Sequence, residues 1–159
     1  MKTKQTVHPL VYLDLCTLKR PYDRASDEAV RLEALAVAEL VGAAEAGVIS
    51  LAGSSVIDAE NERNPDPVRR AGVAALLGGL AKQRAAISDE IATRARDLIA
   101  NGFPSLDALH VASAEAIGAV YFVTADKRLS AKGKRFSKIL RTRMVDPLQM
   151  VRVLEGVET

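Results

Sequence analysis

The 159-residue sequence predicts a three-layer α/β/α domain with a central, mostly parallel sheet. Three observations point there. Short apolar runs that read as strands alternate with longer segments of helical periodicity, hairpin signals between the runs are few, and 48% hydrophobic residues suffice for one continuous core. Strands separated by helices return by right-handed crossovers, so they pair in parallel and both faces of the sheet are covered. One domain over residues 1–159 is expected. The single cysteine, Cys16, excludes an internal disulfide and any multi-cysteine zinc site, which fits a reducing cytoplasm. The N-terminal apolar run is too short for a signal-peptide core or a membrane span and is interrupted by Asp14. A soluble, cytoplasmic protein with no membrane partner is expected.

In chain order, Val7 to Leu13 reads as a buried strand with Asp14 at its C-terminal end. The following KRPYDRAS reads as a loop, with Ser26 as N-cap of a helix whose first turn carries Asp27 and Glu28. That helix repeats apolar residues at Val30, Val37, Leu40, Val41 and Ala44, widened by Leu32 and Leu35, until Gly47 ends it. VISLAG is the second strand. Ser54 or Ser55 caps a helix through VIDAENER that stops at the two prolines of NPDP. A helix from Pro67 carries Gly78-Gly79 near its end, a pair that suggests fraying or a close helix contact. RAAIS is a short strand, Asp89 to Ala100 a helix closed by Asn101-Gly102, and SLDALHVASAEAIG a helix closed by Gly118. AVYFVT is the clearest strand. A basic helix or loop, a strand around Ile139 to Val145 and a helix from Pro147 through Leu154 complete the chain.

In parallel sheets, ligands bind beyond the carboxyl ends of the strands. Asp14 directly follows Val11-Tyr12-Leu13, and Asp126 lies just past Tyr121-Phe122-Val123-Thr124, so both are expected in one crevice. Of Asp58, Glu60 and Glu62, spacing selects Glu60, which is four residues after Val56 and three after Ile57 and so shares their apolar face. Asp107 stands in the first turn of its helix, where the dipole favours it, and it precedes Val111 by four on a side that packs. Four carboxylates in one cavity repel each other unless cations bind. All-oxygen ligands, with Thr124 as a hydroxyl contributor, suit Mg²⁺ or Mn²⁺ over zinc. Such ions serve the hydrolysis of phosphodiesters.

Net charge is +2, yet from Lys127 to Arg143 there are eight Lys or Arg and no acid. Lys127, Arg128, Lys132, Lys134 and Arg135 open this block, which reads either as a track for a nucleic-acid backbone or as a solvated face. His110, three residues after Asp107, is a proton shuttle, a hydrogen-bond partner or a core residue. Cys16 reads as a small buried residue before it reads as a nucleophile. Its position also departs from the second Asp that haloacid-dehalogenase phosphatases carry two residues after the first, and no glycine-rich phosphate loop is present.

Four segments together resemble the PIN-domain family: VYLDLCTLKRPYD its opening strand and loop, SSVIDAENERNPDP the segment with its glutamate, SLDALHVASAEAIGA its third-acid helix, and YFVTADKRL its fourth-acid strand end. The resemblance runs from about Val7 to Leu148. It implies an α/β nuclease with Asp14, Glu60, Asp107 and Asp126 as catalytic, metal-binding acids and Thr124 beside them. Many prokaryotic PIN domains are VapC-like toxins that cleave RNA and are held inactive by a small antitoxin, and PIN domains often form dimers. RNA, a small antitoxin and a second copy of the chain are thus the partners the resemblance implies. Leu15 stands where many relatives carry Thr or Ser, so a hydroxyl near the metal is either missing or replaced by that of Thr17. The alternative, from another class, is a PIN-like module that binds RNA or protein without turnover.

Overall fold

The computed structural model describes residues 8–23 and 27–157. Its sheet has five strands, β1 (Leu10–Leu13), β2 (Ser50–Ser54), β3 (Gln83–Ala85), β4 (Tyr121–Val123) and β5 (Arg143–Val145), in the order β3-β2-β1-β4-β5. Every pairing is parallel. All four residues of β1 are buried, because helices cover both faces of a central parallel strand.

The helices are α1 (Leu15–Lys19), α2 (Glu28–Glu45), α3 (Ser55–Glu62), α4 (Pro67–Leu80), α5 (Asp89–Ala100), α6 (Ser105–Ala116), α7 (Lys127–Arg135) and α8 (Pro147–Leu154). Most N-caps are side chains accepting backbone N–H groups: Asp27 for α2, Ser54 for α3, Asp66 for α4, Ser88 for α5 and Asp146 for α8. α5 packs on α6 and α2 on α8, leaving the carboxyl end of the sheet as the end where α1, α3 and α7 begin.

Several sequence expectations shift. The first strand begins at Leu10, three residues later than expected, and Val7 lies outside the described residues. Part of the expected KRPYDRAS loop is ordered: α1 runs into a 3-10 turn over Arg20–Tyr22, with Pro21 at its start. A proline in a first helical turn forfeits no internal bond, so Pro21 is compatible with this turn. Ser26 lies outside the described residues, and Asp27 caps α2. Leu32 and Leu35 do not widen the buried stripe. They are 46% and 64% exposed, Leu32 at the margin of the face that buries Val37 and Leu40 and Leu35 turned away from it.

Gly78 and Gly79 meet nothing within 4 Å of a built Cβ, so neither marks a close contact. The close approach in α4 is at Gly72, where a Cβ would stand 2.6 Å from the Tyr22 ring. The last strand is only Arg143–Val145, with Ile139 exposed in the turns before it.

Candidate functional site

The chain runs from β1 outward to β2 and β3, then returns to β4 and β5 on the other side, so strand order reverses between β1 and β4. A crevice forms at the carboxyl ends of such a pair. Asp14 follows β1, and its N–H reaches the Val123 carbonyl at 3.3 Å, tying the two strand ends together. Its Oδ1 caps α1, accepting from the Thr17 N–H at 3.1 Å, the Thr17 hydroxyl at 2.6 Å and the Cys16 thiol at 3.1 Å. Asp126, beyond β4, uses Oδ1 to cap α7, accepting from the N–H groups of Arg128 at 2.9 Å and Leu129 at 3.2 Å. Glu60 turns Oε2 to His110 Nε2 at 2.5 Å. Asp58 instead points away, into an ion pair with Arg84 of β3.

Each of Asp14, Asp126 and Glu60 is thus held through one carboxylate oxygen. The other oxygen has no partner among the described residues. Asp107, half-buried in the first turn of α6, connects the three electrically. Its carboxyl is raised above the usual range by burial first, then by the charges of Asp126 and Asp14, with Glu60 adding and His110 opposing. Asp107 therefore lies in the field of the other three acids.

Among the described residues no three His, Cys, Asp or Glu side chains close on a point as a finished metal cage. The donors on offer, carboxylate oxygens without a protein partner, are of the hard type that Mg²⁺ or Mn²⁺ takes. Mg²⁺ keeps several waters and takes one or two carboxylates together with substrate phosphates, whereas structural zinc demands a closed tetrahedron.

A family model described as "PIN domain" matches residues 17–135. The chain belongs to the PIN-domain family, a family of nucleases. The matched segment includes Glu60, Asp107 and Asp126 and begins three residues after Asp14. Among solved structures, the chain is similar to Mycobacterium tuberculosis VapC20, described as a sarcin-ricin loop cleaving toxin, at 16% identity and a TM-score of 0.55. That likeness covers 77% of this chain and 95% of the other, and it concerns the fold. No curated protein matches the chain significantly.

Within this PIN domain two threonines shape the acids. Thr17, wholly buried, gives its hydroxyl proton to Asp14, lies 3.2 Å from the Val123 carbonyl and accepts the Ala125 N–H at 3.0 Å. Thr17 thus sets a hydroxyl against Asp14 three residues further along the chain. Thr124, also buried, accepts the Asp126 N–H at 3.1 Å, so its hydroxyl orients the turn that carries the fourth acid. Burial, then the charge of Asp14, pushes the Cys16 thiol up to about 12, which disfavours the thiolate that a nucleophile needs.

The basic residues divide. Lys127 and Lys134, two turns apart on α7, line a cleft of about 460 Å³ together with Thr124 and Asp126. Arg128 is exposed at the start of α7. Lys132 reaches back to the Gly102 carbonyl and over the Phe103 ring, and Arg135 lies over Phe136. No helix among the described residues is long and apolar enough to cross a membrane.

Sequence reasoning found Ser54 as a helix cap, which it is, but found neither Ser54 nor Tyr12 as a residue standing behind Glu60 in the core. The one sequence signal of Tyr12 is polarity inside a run that is otherwise apolar.

Proposed function

We propose that the protein is a Mg²⁺- or Mn²⁺-dependent endoribonuclease, the whole chain acting as one catalytic domain. The observation that carries this reading is the acid arrangement: three carboxylates held by one oxygen with the other unpartnered, and a fourth whose carboxyl is raised by burial and then by the charges of the rest. Asp14, Glu60, Asp107 and Asp126 would hold the cation. When bound there, it supplies charge neutralisation at a phosphodiester and acidifies an attacking water.

The chain's own groups do the remaining work. Thr17, through its hydroxyl and its N–H, keeps Asp14 in place, and Thr124 orients the turn that carries Asp126. Lys127 and Lys134 bind backbone phosphates at the cleft rim, with Arg128, Lys132 and Arg135 extending the positive face. In-line displacement at the phosphorus leaves a 5′-phosphate. Two protein partners accompany the reading, a small antitoxin that silences the enzyme and a second copy of the chain.

The test is cleavage of a labelled mixed-sequence RNA with Mn²⁺, with EDTA, and by Asp14→Asn. Asn retains the Oδ1 that caps α1, so the variant should fold as the parent does and lose cleavage. A rate unchanged in Asp14→Asn sinks the mechanism. Melting that rises with Mn²⁺ while no RNA is cut identifies a binding module without turnover.

A further inference from the structure

Behind Glu60 runs a line of polar side chains buried deep in the core: Ser54 and Tyr12 are wholly inaccessible, and His110 is 3% exposed. Ser54 Oγ, the N-cap of α3, accepts the Ile57 N–H at 3.0 Å. The Tyr12 hydroxyl lies 2.7 Å from Ser54 Oγ and 2.6 Å from His110 Nδ1, and His110 Nε2 lies 2.5 Å from Glu60 Oε2.

Donor bookkeeping gives one self-consistent orientation of these bonds. An ionised carboxylate only accepts, so His110 Nε2–H donates to Glu60. In the neutral tautomer with its proton on Nε2, the lone pair at Nδ1 takes the Tyr12 proton, and Tyr12 Oη accepts the Ser54 proton in turn. Burial holds the Tyr12 phenol far above its usual range, so it remains a donor. The line begins at the N-cap of α3 and ends at Glu60 on the same helix, passing through β1 and α6. Packing reinforces it: the imidazole meets the Tyr12 ring edge-on at 5.8 Å, and Tyr12 stacks on Phe122 at 5.2 Å.

We propose that Tyr12 and His110 are positioning residues for Glu60. The relay holds the imidazole in its Nε2–H tautomer, anchors one carboxylate oxygen and presents the other to the divalent cation. The proposal rests on the metal-dependent reading above. Partners of this kind commonly orient metal-binding side chains from behind, and burying three linked polar groups serves no packing need that apolar residues would not meet better.

The full-length protein supplies two readouts. With only two histidines in the chain, the tautomer of His110 is accessible by ¹⁵N NMR in EDTA, and Mn²⁺ affinity follows from electron paramagnetic resonance of the free ion. The parent should show the Nε2–H form. Tyr12→Phe should mix the tautomers and weaken Mn²⁺ binding roughly 10-fold, with His110→Leu as weak or weaker. His110→Gln, whose amide N–H stands where Nε2–H does, should restore binding to within about 3-fold of the parent.

An Nδ1–H form in the parent, or Tyr12→Phe with tautomer and Mn²⁺ affinity unchanged, overturns the proposal. Mn²⁺ bound equally well by the parent and every variant refutes the relay alone. A parent that binds no Mn²⁺ refutes the metal-dependent reading, and the presenting role of the relay falls with it.

Discussion

Asp107 carries the clearest electrostatic consequence of gathering acids at one sheet end. Burial and the charges of Asp126 and Asp14 raise its carboxyl, so the folded protein holds that proton more tightly than the unfolded chain does. Stability is therefore lost as pH rises through the acid range to the raised folded value, and the penalty is fully present at neutrality. Asp107→Asn, uncharged at every pH, should melt higher than the parent at pH 7 in EDTA, with the gain disappearing below about pH 4, where Asp is protonated in both states. In Mn²⁺ the order should reverse, because only the parent is stabilised by mass action. An Asn variant that melts no higher at pH 7 in EDTA would show that the acids do not share one field. The position of these acids was readable from local pattern: Asp14 and Asp126 from strand ends, Glu60 from its spacing to Val56 and Ile57. What holds them was not. His110 is 50 residues from Glu60 and Tyr12 is 98 from His110, so those bonds exist only once α3, β1 and α6 meet.

At the scale of elements, α7 carries the fourth acid at its start and lies directly on β5. Its Gly133 faces that strand: a Cβ there would stand 2.4 Å from Met144 Sδ and 2.7 Å from Met144 Cβ. Helix propensity alone favours Ala over Gly by about 1 kcal/mol. The Met144 Cβ cannot swing aside as a side-chain tip can, so overpacking of ~1–3 kcal/mol should win. Gly133→Ala should therefore lower the denaturation midpoint in urea, and a raised midpoint would mean that α7 slides on β5 without cost. Elements with strong end signals were legible almost to the residue. α5 has Ser88 before it and Gly102 after it, and α8 has Pro147 in its first turn with Asp146 and Gln149 forming a capping box. α1 was missed because five residues carry too little periodicity to register, and its stability comes from the Asp14 cap and burial of Leu15, Thr17 and Leu18. The strand expected from Ile139 shrank to Arg143–Val145, since apolar residues in a turn look the same in sequence as those in a strand.

For the whole molecule, a net charge of +2 provides little long-range attraction for RNA, so any grip on the backbone depends on where cations stand. Lys127 and Lys134 border the cleft that contains Asp126, on the same face of α7. Lys132 is engaged by the Gly102 carbonyl and the Phe103 ring, away from that cleft. Each phosphate neutralised on a single strand contributes about 0.7 to the slope of log K against log salt concentration. In the cleavage-deficient Asp14→Asn background, Lys127→Gln with Lys134→Gln should reduce that slope by roughly 1.4 for a single-stranded RNA, whereas Lys132→Gln should leave it nearly unchanged. Titrations over a range of salt concentrations separate the two, because a lost phosphate contact changes the slope and a merely weakened fold shifts all points together. Equal slope changes for Lys132 and for the cleft pair would mean that RNA follows the outer face of α7, with the scissile phosphate delivered to the acids from the side of Phe103.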